Sequence, residues 1–117
     1  MVERQTGRII NISSGIAVTG FYGYSSYCAA KAGIIALSKT LAKETASKGI
    51  YVNVVAPGFI PTELQDSISP ELRNNLLNSI SMHRLGKVEE IAEVVTFLAT
   101  SGNYINGQVI HVDGGFI

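Results

Sequence analysis

"IYVNVVAPG", residues 50–58, is the stretch on which the fold turns. From Ile50 to Ala56 it is nearly continuous in apolar, β-branched character, with Asn53 its one strongly polar residue. A strand with one wet face alternates polar and apolar positions; a run without alternation is what a parallel strand covered on both faces requires. Pro57 and Gly58 then end it, the first by withdrawing a backbone donor and the second by its freedom to turn.

Moving outward, "RIINIS" (Arg8 to Ser13) reads as a second short buried strand running into Ser-Ser-Gly, and "QVIHVD" (Gln108 to Asp113) as a third, closed by Gly114 and Gly115. Residues 15–24 are glycine- and aromatic-rich and read as loop. A long helix is expected from Ser25 or Ser26, either serving as N-cap, with Ala30, Ile34, Leu37 and Leu41 as its apolar stripe. Ala29, Ala32, Gly33 and Ala36 give it a second, small-residue face, and Gly49 is a natural stop after Lys43 and Lys48. Ser69, Pro70 and Glu71 have the order of N-cap, N1 and N2 and open a short helix to about Ile80. A last helix from about Val88 to Thr100 carries Ile91, Val94, Val95 and Leu98 at helical spacing. Strand, helix, strand, helices, strand is the alternation of an α/β parallel sheet with right-handed crossovers. Ligands in such sheets bind beyond the carboxyl ends of the strands, which points to Ser13–Ser14, to the segment from Pro57 to Thr62, and to residues 113–116.

The chain has 117 residues, enough for one domain. Nine basic and nine acidic residues leave no net charge, so the electrostatic footprint of a nucleic-acid or anionic-membrane partner is missing. No apolar run reaches the length of a membrane span, and "MVERQTGR" has no apolar core of a secretion signal, so a cytoplasmic protein is expected. The single Cys28 excludes an internal disulfide, suits a reducing compartment, and reads as a small buried hydrophobe. His83 and His111 have no partners at ligand spacing, so no metal site is expected. Asn11 and Ser13 form a glycosylation sequon that falls in a buried strand and reads as chance. At 46% apolar the composition is rich for so small a domain, as if some of its surface were meant for a neighbour.

"YCAAK", residues 27–31, sets a tyrosine and a lysine one helical turn apart on one face. Phenols titrate near pH ~10 and are poor proton donors or acceptors at neutrality, but a neighbouring ammonium favours the phenolate and improves them as general acid or base. About one tyrosine in 15–20 has a lysine four places on by chance, so the pair gains meaning only from its surroundings.

Those surroundings are "NISS" at the end of a strand, "YSSYCAAKAG" beyond it, "VNVVAPGFIPT" after the next strand and the closing "GQVIHVDGG". Together, in this order and over essentially the whole chain, they resemble the short-chain dehydrogenase/reductase family, and "GRIINISS", "RLGKVEEIA" and "HVDGG" are similar to its 3-oxoacyl-acyl-carrier-protein reductase branch. The resemblance implies the C-terminal half of a Rossmann-type doubly wound parallel sheet, three parallel strands with helices. It implies hydride transfer between a nicotinamide and a carbonyl carbon, with a 3-oxoacyl thioester as first substrate guess. By resemblance Tyr27 is the acid/base, Lys31 its partner and the ligand of the nicotinamide ribose, and Ser14 the residue that holds the substrate oxygen. Pro57, Gly58, Ile60 and Thr62 match the segment that lines the nicotinamide, the Ile60 backbone being placed to bond its carboxamide. The cofactor implied is NADP or NAD, with NADP favoured, and subunit contacts through the long helix and final strand imply a homo-oligomer. The region from about Glu63 to Arg84 resembles the family's variable substrate cover. Read without the resemblance, Ser14 is a turn cap and Pro57 and Gly58 are strand punctuation.

The family is roughly twice this length, because a dinucleotide fold has two mononucleotide-binding halves. No glycine-rich fingerprint turn is present, since Gly15, Gly20 and Gly23 have the wrong spacing and open no helix. Residues 1–117 therefore read as one partial Rossmann domain, the catalytic and substrate-binding half without its dinucleotide-binding half, expected to bind a dinucleotide weakly or not at all unaided and to self-associate. The competing expectation is a catalytically inactive fragment that acts only as an interaction or oligomerisation module.

Overall fold

The computed structural model describes residues 1–61 and 69–117. In chain order the elements are β1 (Gly7–Ile12), α1 (Ile16–Thr19), α2 (Ser25–Thr45), a 3₁₀ turn (Ala46–Lys48), β2 (Ile50–Pro57), α3 (Pro70–Asn78), α4 (Val88–Thr100) and β3 (Val109–Val112). The strands form one sheet in the order β1-β2-β3, and both pairings are parallel. This is the α/β parallel architecture that the alternation of elements predicts, and it is consistent with the half of a Rossmann-type fold that the resemblance implies.

The continuous apolar run becomes the central strand because it alone has a neighbour on each side and a helix over each face. Val52, Val54, Val55 and Ala56 are fully buried there. Burial of a valine side chain stabilises by about 1.5–3 kcal/mol, so β2 is the thermodynamic spine of the sheet. Ile50 and Val52 pack with Ala42 and Leu41 of α2 and with Ile9 of β1. On the other face Arg8 reaches the end of α4, donating to the carbonyls of Leu98 (2.9 Å) and Gly102 (3.1 Å), with its guanidinium 5.5 Å from the Tyr51 ring centroid. Alternate residues of β1 therefore serve α2 and α4 in turn.

Asn53, in the middle of the apolar strand, is buried without penalty because its amide is satisfied. It donates to the Ile105 carbonyl (2.8 Å) and accepts from the Gln108 amide (3.0 Å). Asn106 completes the latch, accepting from Val52 N (2.8 Å) and donating to the Ala42 carbonyl (3.0 Å). Two asparagines thus sew the approach to β3 onto β2 and α2.

Several local expectations need correction. Residues 15–24 are not all loop, because buried Ile16 anchors the single turn α1, whose Gly20 N–H donates to the Ile16 carbonyl (2.9 Å). Neither Ser25 nor Ser26 caps α2; Tyr24 occupies the cap position with no side-chain cap bond. The stripe of α2 is also rotated. Ala30 and Leu37 are exposed, while Ser38 and Ala42 are buried, since small residues allow the closest approach to the sheet. Gly49 stops the helix as expected, with φ +66°, although the α-helix ends at Thr45 and a 3₁₀ turn intervenes. A side chain at Gly49 would also run into the Gln5 carbonyl. Ser69 caps α3 by accepting from Leu72 N (3.2 Å), with Pro70 in the first turn, as read from sequence.

Candidate active site

All three strands end at one edge, and backbone bonds hold those ends in register. Ser13 N donates to Val55 O (2.9 Å), Gly15 N to Pro57 O (2.9 Å) and Gly58 N to Val112 O (3.0 Å). A Cβ on Gly58 would lie 2.6 Å from Asp113 Cα, so only glycine lets the loop after β2 pass the end of β3. Ser14, Pro57, Gly58 and Asp113 are thereby gathered along one rim, where parallel sheets place their ligands.

Helix α2 starts beside that rim and is fastened to it through Lys31. Its Nζ donates to the Ile12 carbonyl (3.0 Å), and its own carbonyl accepts from the buried Ser13 hydroxyl (2.8 Å). The ammonium lies 5.7 Å from the centroid of the Tyr27 ring, within the range of a cation–π contact. Tyr27 is 43% exposed. Among the described residues neither its hydroxyl nor that of Ser14 enters a side-chain hydrogen bond. One turn lower, Asn11 donates to Ser38 Oγ (2.8 Å), which itself donates to the Ile34 carbonyl (2.7 Å).

Of the sequence-derived candidates, Tyr27 and Lys31 meet across one helical turn, and Ser14 follows the two residues that grip Lys31. Pro57 at the end of β2 and Gly58 and Ile60 on the loop beyond it are half-buried. Thr62 lies outside the described residues, as does the start of the expected substrate cover. The Phe59 carbonyl is taken by Gly86 N (3.0 Å), whereas Ile60 makes no backbone hydrogen bond among the described residues. Among the described residues, the Ile60 amide, the hydroxyls of Tyr27 and Ser14 and the Lys31 ammonium are the polar groups gathered along this part of the rim.

Sequence reasoning missed a line of aromatic rings along the same rim. Tyr27 stacks edge-on against Tyr24 (centroids 6.2 Å apart), Tyr24 against Phe21 (5.5 Å), Phe21 tilts against Phe59 (5.9 Å), and Phe59 meets Phe116 edge-on (5.0 Å). The local signal was "GFYGYSSY", residues 20–27; the partners Phe59 and Phe116 come from other strand ends and leave no local pattern.

A separate cleft of about 520 Å³ lies between α4, the end of β3 and residues 81–86, lined among others by Arg84, Glu90, His111 and Asp113. None of Ser14, Tyr27 and Lys31 lines it. Its charges are engaged in holding backbone. Arg84 grips Glu90 through two bonds, 2.9 and 2.6 Å, and Glu90 also accepts from Lys87 N (2.7 Å), closing the cap of α4. The hydrogen bond from Arg84 and that from the Lys87 amide hold the Glu90 carboxyl down at about 2, below the ordinary carboxylate range. Asp113 accepts from Gly115 N (2.9 Å) and Ile117 N (3.3 Å). The charges of the cleft thus hold one another and backbone, whereas Tyr27 and Ser14 enter no side-chain hydrogen bond among the described residues.

Over residues 1–117 the sequence matches the family described as enoyl-(acyl carrier protein) reductase. It is 47% identical over 116 residues to the 3-oxoacyl-[acyl-carrier-protein] reductase of Haemophilus influenzae, covering 98% of this chain and 48% of that protein. With the reductase of the same name from Chlamydia trachomatis it shares 49% identity over 116 residues, 98% of this chain and 47% of the relative. The Rickettsia conorii protein of that name is 43% identical over 118 residues, 100% of this chain and 49% of the relative. The chain spans about half the length of the curated relatives it matches.

Proposed function

The chain belongs to the short-chain dehydrogenase/reductase family, and on that premise we propose that it supplies the catalytic half of a nicotinamide-dependent reductase converting a carbonyl to an alcohol. A 3-oxoacyl thioester is the substrate class, after the names of its relatives. The observation that carries the reading is Lys31, tied through Nζ to Ile12 and through its carbonyl to Ser13, with its ammonium over the Tyr27 ring.

In this reading Tyr27 Oη gives its proton to the substrate oxygen as that oxygen gains charge. The Ser14 hydroxyl donates to the same oxygen and fixes the carbonyl at the rim, an interaction worth most where water is excluded. Lys31 has three donors and spends one on Ile12, which leaves the others for a ribose hydroxyl. Pro57, Gly58 and Ile60 would hold the nicotinamide, with Thr62 added by the resemblance alone, and the Ile60 backbone would be the group for its carboxamide. When bound, reduced NADP or NAD supplies the hydride that the carbonyl carbon accepts. A cytoplasmic setting fits the single half-buried Cys28.

Calorimetric titration with NADPH and with NADH tests the reading. Binding of either at micromolar Kd, roughly −8 kcal/mol, supports the reading for this chain itself; no heat with either removes the reductase activity from it. A second reading, an interaction or oligomerisation module, is favoured by the exposed α2 face of Ala29, Gly33, Ala36 and Leu37. Its signature is a solution mass above one chain together with no nucleotide binding.

A further inference from the structure

Among the described residues β1 has one strand neighbour, β2, and its other side is an open edge. Gly7 N donates to Gly49 O and Ser13 N to Val55 O, so the odd-numbered residues of β1 turn their backbone groups towards β2. Arg8, Ile10 and Ile12 stand at the alternate positions and turn theirs outward. On that side they make no backbone–backbone hydrogen bond among the described residues, and only the Ile12 carbonyl is engaged, by Lys31 Nζ (3.0 Å). Proteins blunt such edges with lysine, proline, a bulge or a covering element. Lys31 serves in this way at the end of the strand, whereas its middle, Ile9 to Asn11, carries neither lysine nor proline.

We propose that β1 pairs antiparallel with β1 of a second copy of this chain, about a two-fold axis at Ile10, so that the two sheets become one. A two-fold axis closes the assembly at a dimer, whereas parallel addition would leave a further edge open. With the axis at Ile10, that residue exchanges both its bonds with its copy, and Ile12 N–H reaches the Arg8 carbonyl across the seam in both directions. Arg8 N–H meets the Ile12 carbonyl, which accepts a second bond beside that of Lys31. Charge favours a copy of this chain as the occupant. The register sets Arg8 opposite Ile12 and not opposite its own copy, its guanidinium is drawn away to the Leu98 and Gly102 carbonyls, and the chain carries no net charge to repel a second one. Ile12, 43% exposed, is then covered by the aliphatic stem of Arg8. The pairing stands whether or not the chain reduces a carbonyl, and it leaves the exposed face of α2 out of the contact.

The test is the mass of the full chain in solution over a dilution series, with amide hydrogen exchange read by NMR at both ends of the series. A mass of two chains falling to one on dilution is expected. The amides of Arg8, Ile10 and Ile12 should be protected at the concentrated end and lose that protection on dilution, while those of Ile9 and Asn11, bonded to β2, stay protected throughout. Ile10→Pro removes an outward N–H and spares the ladder to β2. It should weaken the dimer about tenfold or more, for two lost hydrogen bonds, and a thermal melt checks that it folds. Should it not fold, Ile10→Lys, which sets a charge against its own copy at the axis, takes its place with the same expectation. A mass of one chain at every concentration overturns the proposal. So does a mass of two chains with the Arg8, Ile10 and Ile12 amides exchanging freely, the result expected of a dimer built on α2, and so does a folded variant at Ile10 that associates as the wild type does.

Discussion

The corner between β1 and α2 and the cleft between α4 and β3 lie along the same rim, and they use polar side chains in opposite ways. In the cleft Arg84, Glu90 and Asp113 spend their hydrogen bonds on one another and on backbone amides. At the corner Lys31 is anchored by one donor, and the hydroxyls of Tyr27 and Ser14 are not engaged among the described residues. A concave site rich in titratable groups is the usual first guess for chemistry. Here the difference argues for the other region, because satisfied charges hold a fold together, whereas catalysis needs donors kept free for the transition state.

The largest effect should come from the corner. Replacing Tyr27 by Phe removes the proton and keeps the ring contacts with Tyr24 and Lys31. Under the proposed function, carbonyl reduction should fall by about 10²–10⁴-fold, the range of general acid catalysis, while the melting temperature stays near wild type. The matched change in the cleft, Glu90→Gln, should leave turnover within a few-fold, roughly the weight of an exposed ion pair. If the two variants exchanged these outcomes, the assignment of chemistry to the corner would be wrong.

Gly58 joins the two regions, and Gly58→Ala should destabilise both. The new methyl meets the backbone of Asp113 at 2.6 Å, a contact no side-chain rotation relieves. Overpacking of this kind costs about 1–3 kcal/mol, to be read from urea unfolding, and a variant as stable as wild type would show that the loop and the end of β3 are not tightly apposed. Ser13→Ala should act at the corner only. It removes the buried bond to the Lys31 carbonyl, worth about 1 kcal/mol, and loosens the end of α2 that carries Tyr27.

What was legible in the sequence follows the range of the interactions. β2 could be read from its own residues, because burial on both faces leaves a continuous apolar run, and Gly49 could be read because a left-handed stop is local chemistry. The Tyr27–Lys31 pair was visible as spacing, and its neighbours Ser14, Pro57 and Gly58 as strand ends. The Asn53 and Asn106 latch was not legible, since its bonds span 52 to 64 residues and nothing near either asparagine announces them. The α2 cap failed for a related reason. Two serines sit where a cap is expected, yet the contacts of Tyr24 with Phe21 and Tyr27 set where the helix begins. The ring line needed three strand ends to be brought together before it existed.

The smallest effect is a pH dependence that belongs to the cleft alone. Glu90 titrates at about 2 in the folded chain, held there by Arg84 and by the Lys87 amide, whereas an unperturbed glutamate titrates near ~4.3. A carboxyl whose pKa is lower folded than unfolded binds more protons unfolded, so its contribution is complete above the unfolded value and is lost as pH falls towards the folded one. Melting temperature should therefore decline more steeply from about pH 5 to pH 2 in the wild type than in Glu90→Gln. The two curves should converge at the acid end, where the wild-type carboxyl is also neutral. Because the pair is exposed, salt should flatten the difference. Curves that stay parallel across this window would mean that Glu90 holds the α4 cap by shape and hydrogen bonding, which glutamine can imitate, rather than by charge.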